Sequence, residues 1–383
     1  MRKRFRDYGY QVGTLDPGPE NSITDVAGVS VGHATLRPEA GHQRDVCTGV
    51  TAIFPHSGNL YRDKPAAAVH VINGFGKTTG LVQVEELGEL ESPIMLTNTF
   101  SVPAVTEGTL RYMLMQHPEI GDTSGSLNVV VGECNDSYLN DMRGLHVRPY
   151  HALEALQRAH KGGAVIEGSV GAGTGMRCFG WKGGIGTASR KVETSEGSFV
   201  LGALVLTNFG EAQDLMILGV PVGQYLQPPV DPAGIGVHDA SGNASESPAN
   251  TSESGDAGMG DGSVMVVIGT DAPLDSRQLK RLAKRVAFGL ARTGSIAHHG
   301  SGDIAIAFSV PRSGSGAAYQ NCFTSDAAFM SQYFRAVVES TEEAVLNSLV
   351  VNQDIAGRKG RLLTALPMQR VAKLLDSHYP QFR

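Results

Sequence analysis

Asp261-Gly262-Ser263-Val264-Met265-Val266-Val267-Ile268-Gly269-Thr270-Asp271 joins two segments of opposite character. Upstream, residues 231–262 are mostly Gly, Ser, Asn, Asp, Glu, Ala and Pro, with almost nothing to bury. Such a composition cannot offset the entropy of being ordered, so it predicts a flexible loop. Downstream, Val264 to Ile268 is an unbroken apolar run, the mark of a strand buried on both faces. The Gly262-Ser263 bond therefore lies where a loop enters a core strand. A cut there turns Ser263 into an N-terminal residue carrying a hydroxyl and a free α-amine together, a nucleophile beside its own base. Gly262 suits such a cut, because glycine accepts the backbone strain of an attack on its carbonyl. Gly-Ser alone is also an ordinary strand entry, so the remaining stretches carry the decision.

With 383 residues, 41% of them hydrophobic, the chain can build a large core. Its 48 glycines exceed the usual share of about 7% and predict tight turns and backbone-lined clefts. Net charge is −6, and the only dense basic run is Arg2-Lys3-Arg4, which argues against nucleic acid or an anionic membrane as partner. Cys47, Cys134, Cys178 and Cys322 form no C-x-x-C pair, which fits a reducing, cytoplasmic setting better than disulfides or zinc. The basic start leads into Asp7-Tyr8-Gly9-Tyr10 rather than an apolar run, so no signal peptide is expected. No apolar stretch is long enough for a membrane span. A soluble protein is expected.

Strand signals at 50–54, 68–72, 94–97, 127–132, 199–207 and 304–308 alternate with helical spacing at 81–90, 105–117, 151–160 and 329–349, which points to α/β layering. Asp275 to Gln278 opens a further helix with a capping-box pattern, running to Gly294.

Gly74-Phe75-Gly76-Lys77-Thr78 has Val71 where a phosphate loop needs its first glycine, so that reading fails. Gly171 to Gly175 and Gly183 to Gly186 lack the strand–turn–helix setting of a dinucleotide site and read as tight turns. His298-His299 has no second ligand pair at metal spacing and reads as structural. Asn208 ends a strand, where its amide can face an oxyanion or simply form a turn. Ser301-Gly302-Asp303 offers a hydroxyl and a carboxylate just ahead of a strand, equally consistent with a turn. Glu133 to Tyr138 clusters an acid, an amide and a phenol. Cys134 has no histidine nearby in sequence to activate it as a nucleophile.

Together these stretches resemble the self-cleaving aminopeptidases, which include the L-aminopeptidase/D-Ala-esterase/amidases and the β-peptidyl aminopeptidases. The resemblance runs nearly end to end, through Asn21 to Val29, Val31-Gly32-His33, Asn73 to Gly76, Thr97-Asn98-Thr99 and Gly132 to Asp136. It continues through Gly171 to Gly186 with its Met176-Arg177-Cys178-Phe179-Gly180-Trp181-Lys182 segment. Asp261-Gly262-Ser263, Thr270 to Leu274, Ser301 to Ile304 and Glu342 to Ser348 complete it. It implies a four-layer αββα sandwich, made as one precursor and cut into a large chain, 1–262, and a small chain, 263–383, woven into one domain. Ser263 then matches the nucleophile and Asn208 the oxyanion amide, while Ser301 and Asp303 line the nucleophile. Glu133 receives the substrate's free amino group, with the Tyr138 phenol beside the site. The resemblance further implies a small-molecule or short-peptide substrate, no metal or organic cofactor, and a tetramer of the cut pair. Lys77 and Phe100 depart from the family's usual residues in stretches expected to line the cleft, and so bear on substrate preference. Two alternatives remain open here: an acyltransferase of the ornithine acetyltransferase type, which uses Thr where this chain has Ser263, and an uncut, inactive binding relative.

Overall fold

The computed structural model describes residues 3–38, 41–195, 197–229, 262–310 and 329–379. Residues 231–261 of the expected loop, and Cys322, lie outside these. The first part of the chain lays down β1 (Ser30–Leu36), β2 (Thr48–Phe54), β3 (Ala67–Gly74), α1 (Leu81–Leu87), β4 (Ile94–Asn98), α2 (Val102–Gln116), β5 (Val130–Cys134) and α3 (Pro149–His160). A short hairpin follows, β6 (Arg177–Cys178) and β7 (Trp181–Lys182), then β8 (Gly184–Thr194), β9 (Gly197–Asn208) and α4 (Val222–Tyr225). Beyond Gly262 come β10 (Ser263–Thr270), α5 (Ser276–Ala283), α6 (Val286–Arg292), β11 (Gly302–Ser309) and α7 (Met330–Val350). A small pair, β12 (Ile355–Ala356) and β13 (Leu362–Leu363), and α8 (Met368–His378) end the described chain.

The two larger sheets among the described residues have the orders β1-β2-β4-β5 and β3-β11-β10-β9-β8. The expected core strand, β10, sits at the centre of the second, antiparallel to β9 and parallel to β11. Its side chains alternate between two cores, as the two-residue period of a strand requires. Met265 and Val267 meet Ile53, Ile94, Leu96 and Val130 between the sheets. Val264, Val266 and Ile268 face the other way, with Leu279, Leu282, Val286 and Leu290 of α5 and α6 and Val337, Val345 and Leu349 of α7. On the far side, α2 and α3 cover the first sheet through Val105, Ala152, Ala155 and Leu156. The layers therefore run helix, sheet, sheet, helix. Among the described residues, no helix is long and apolar enough to cross a membrane.

Two local readings change. The helix expected from Asp275 to Gly294 starts with its capping box, Gln278 N–H to Asp275 at 2.7 Å, but breaks into α5 and α6. The Arg285 N–H reaches only back to Leu282, one tight turn that lets Gly289 seat against Thr341 and Val338 of α7. Gly183 to Gly186 is not a set of turns; it leads into β8, the long edge strand under α7. A Cβ on Gly186 would stand 2.0 Å from the Ala344 carbonyl, so glycine here serves close helix–sheet approach.

Candidate active site

Ser263 opens β10 and is 6% exposed. Its register partners are Asn208, the last residue of β9, and Gly302, the first of β11. The Gly302 N–H lies 3.2 Å from the Gly262 carbonyl oxygen and 3.2 Å from Ser263 Oγ. One backbone donor thus serves both the hydroxyl and the carbonyl that precedes it. The spacing depends on missing side chains: a Cβ on Gly262 would stand 2.4 Å from the Asn208 carbonyl, and one on Gly302 3.1 Å from Ser263 Oγ.

Asn208 is oriented from behind. Its Oδ1 accepts the Arg177 N–H at 2.9 Å, which leaves Nδ2 as the donor end of the amide. Ser301 Oγ donates to Asp303 Oδ1 at 2.6 Å. Asp303 is buried; burial raises its carboxyl pKa against the opposing bonds from Ser301 and the Val264 backbone. Its Oδ2 has no hydrogen-bond partner among the described residues. The turn carrying Ser301 is pinned by Asn73, whose Nδ2 donates to the carbonyls of His298, His299 and Ser301 at 2.9, 2.9 and 2.6 Å.

Glu133 lies within β5 rather than after its end, because that strand begins and finishes later than its apolar run indicates. It is buried, accepting the Lys77 N–H at 2.8 Å and the Thr99 hydroxyl. Gly76 separates it from the nucleophile: a Cβ there would stand 3.7 Å from Glu133 Oε1 and 3.9 Å from Gly302 Cα. Tyr138 stands one layer out, its ring flanked by the guanidinium groups of Arg177 and Arg361 at 5.2 and 5.1 Å. The fold thus gathers Ser263, Asn208, Gly302, Ser301, Asp303 and Glu133 from four strands of two sheets, and joins Tyr138 to them through Arg177. Asn73, Thr99 and the Lys77 amide are supporting groups without a role in the sequence reading, although each stands in a motif quoted above. Of the departing residues, Lys77 folds its Nζ over the Phe75 ring at 4.1 Å, and Phe100 is exposed.

Cys134 is no competitor. It is fully buried, and desolvation, with Glu133 nearby, pushes its thiol pKa well above normal. His298 comes near Glu211 and Asp214, the three offering ligand atoms within 4.8 Å of one another. Glu211 Oε2 already accepts from Gln213, and its Oε1 lies 3.7 Å from His298 Nε2, beyond hydrogen-bond length, so the trio is a loose cluster at the surface. Deeper in, Lys182 is wholly buried and donates to the carbonyls of Gly173, Met176 and Gly183 at 3.0, 2.9 and 2.6 Å. Burial draws its pKa down to about 7.

The arrangement offers a shielded hydroxyl, a neighbouring carbonyl, a backbone and an amide donor, and a second carboxylate a short way off. Comparisons with known proteins place the chain among peptidases. The family model of peptidase family S58 matches residues 21–363. The chain is 38% identical to a β-peptidyl aminopeptidase, BapA, of Sphingosinicella microcystinivorans, over 98% of this chain and 92% of that one. Among solved structures, the PH0078 protein of Pyrococcus horikoshii superposes with a TM-score of 0.83 at 42% identity, covering 98% and 99% of the two chains. The L-aminopeptidase D-Ala-esterase/amidase of Ochrobactrum anthropi, described as a prototype of the serine aminopeptidases and a variant of the Ntn hydrolase fold, gives 0.81 at 35%, covering 98% of each.

Proposed function

Since the chain belongs to peptidase family S58 and is a hydrolase, we propose that it is a self-processing serine aminopeptidase whose nucleophile is Ser263. The observation that carries this reading is the shared Gly302 N–H, which holds Ser263 Oγ and the Gly262 carbonyl side by side at the mouth of the central strand. In maturation, Ser263 Oγ attacks the Gly262 carbonyl carbon and the C–N bond breaks. The proton lost by the hydroxyl ends on the departing nitrogen, which becomes the α-amine of Ser263. Water then hydrolyses the resulting ester, leaving Gly262 as a new C-terminus.

In turnover the freed α-amine, with a reference pKa of about 7.7–8.0, takes the Oγ proton as Ser263 attacks the substrate carbonyl. Asn208 Nδ2 and the Gly302 N–H stabilise the oxyanion, and Ser301 with Asp303 lines the nucleophile. Glu133 binds the free amino group of the residue released, a small N-terminal one, and the Tyr138 phenol borders the site. The reading requires no cofactor or metal. The reading includes a cytoplasmic location, which cell fractionation tests. The resemblance adds a tetramer of cut pairs, which light scattering of the purified protein measures.

Glu133 gives the sharpest test of substrate recognition. A carboxylate facing a substrate ammonium makes a charge-assisted bond, and removing one partner of such a buried pair costs on the order of 2–5 kcal/mol. N-acetylation of an aminoacyl-p-nitroanilide is therefore expected to lower kcat/KM by about thirtyfold or more. Glu133→Gln should cost a similar factor on the free amine and little more on the acetylated compound. Equal rates on blocked and unblocked substrates in the wild type would replace the aminopeptidase reading by a general amidase.

A further inference from the structure

The peptide group between Met176 and Arg177 has partners at both ends. Its N–H donates to Asn208 Oδ1 at 2.9 Å, the bond that decides which end of that amide faces away. Its carbonyl accepts from Lys182 Nζ at 2.9 Å and from the Gly183 N–H at 3.0 Å. Lys182 is completely shielded from solvent, and its Nζ also donates to the Gly173 and Gly183 carbonyls at 3.0 and 2.6 Å. Three carbonyls match the three N–H bonds of an ammonium, so each donor is used. The lysine's own backbone is held in turn, its carbonyl accepting from Asn352 Nδ2 at 2.9 Å and its N–H donating to Thr364 at 2.9 Å.

We propose that Lys182 is a positioning residue for the oxyanion amide, acting through the 176–177 peptide on Asn208. The three accepting carbonyls favour the ammonium form against the burial that draws its pKa down to about 7, and a cation on the carbonyl end of a peptide polarises it and strengthens the N–H donor at the other end. A stronger donor toward Oδ1 holds the amide in one orientation and keeps Nδ2 available to the oxyanion. Without the charge, the peptide is free to tilt and the amide to rotate, and the oxyanion loses a fixed donor. The same lysine reduced to a core filler would stabilise the hairpin and leave the chemistry alone.

This inference rests on the proposed role of Asn208, and a double-mutant cycle separates the two. Asn208→Ala should lower kcat on an aminoacyl-p-nitroanilide by about 10²–10³-fold, the usual loss for one oxyanion donor. If Asn208→Ala keeps wild-type kcat, the oxyanion role falls, and this inference with it. Lys182→Met, measured on matured enzyme, should lower kcat at least about tenfold with KM within about threefold, because substrate binding does not involve the amide. Placed on Asn208→Ala, the same substitution should change kcat by less than about twofold. A full additional loss in that background would overturn the positioning role while leaving Asn208 in place. Lys182→Gln, which keeps part of the hydrogen bonding without the charge, serves the same cycle where the methionine variant does not fold, with an intermediate loss expected. Wild-type kcat in either folded variant, with only a lowered Tm, would make Lys182 a structural residue.

Discussion

Asp136 shows what burial does to a single acid. It lies just beyond β5, entirely shielded, accepting from Asn140 Nδ2 at 2.9 Å. Burial pushes its carboxyl up to about 7 against bonds from Thr48, Asn140 and Asn98. Near pH 3 the group is protonated in folded and unfolded chains alike. As pH rises past its ordinary value of 3.8, the unfolded chain releases a proton that the folded chain keeps. Stability from this group therefore falls as pH rises from about 4 to about 7 and levels off above. Denaturant unfolding of wild type and Asp136→Asn at several pH values should show their difference changing across that window; parallel curves would mean the acid is ionised in the folded state. Ser263, Asn208, Ser301 and Asp303 were legible as candidates because each stands where an apolar run begins or ends, while only the family resemblance gave them roles. Asp136 and Lys182 were not, since the groups that give them meaning are backbone carbonyls and amides brought in from other segments.

At the scale of elements, glycine sets the distances, and two of them separate catalysis from packing. Gly302 faces Gly76 and Ser263: an added Cβ would meet Gly76 Cα and N at 3.0 Å and Ser263 Oγ at 3.1 Å. Gly302→Ala should therefore shift the nucleophile and cut kcat on the order of a hundredfold, the effect typical of a misplacement of about 1 Å. Gly186 instead meets the α7 backbone, with the Ala344 carbonyl at 2.0 Å and the Ser348 N at 2.8 Å. Gly186→Ala should cost about 1–3 kcal/mol of stability, read as a lower Tm, with kcat of the folded enzyme little changed. Exchange of these two outcomes would contradict the assignment of one glycine to the site and the other to the helix–sheet contact. Periodicity located β10, β11 and α7 well, because their apolar patterns match what they bury. It missed β1 and β8, where Gly32 packs on Ala155 and Ala159 of α3 and Gly184 and Gly186 pack on backbone. Strands that bury themselves through glycine leave no apolar signal.

For the whole molecule, the question is what keeps the two sides of Gly262 together. The second sheet interleaves them: β11 and β10, from after it, lie between β3 on one side and β9 and β8 on the other, all three from before it. A buried ion network adds to this. Arg190 of β8 reaches Glu339 and Glu343 of α7 at 3.2 and 2.6 Å, and Glu343 also takes Arg6 at 2.7 Å and Asn21 at 2.6 Å. Burial opposes ionisation of Glu343, but the Arg6 bond and the Arg190 charge hold its pKa below the usual range. Arg190→Met takes a shared guanidinium from two buried carboxylates, leaving Glu343 with Arg6 and Glu339 with the Thr14 and Leu15 N–H groups, and should destabilise by about 3–5 kcal/mol. An unchanged denaturation midpoint would show the network to be dispensable. A cut at Gly262 would thus leave two chains that co-purify. The most direct measurement is intact mass with N-terminal sequencing of the purified protein, run beside Ser263→Ala. The account predicts two polypeptides in the wild type, the smaller comprising residues 263–383 and beginning Ser-Val-Met-Val, and one uncut, inactive chain in the variant. An active wild type that remains a single 40.4 kDa chain, or a Ser263→Ala protein that still cuts itself at this bond, would contradict it.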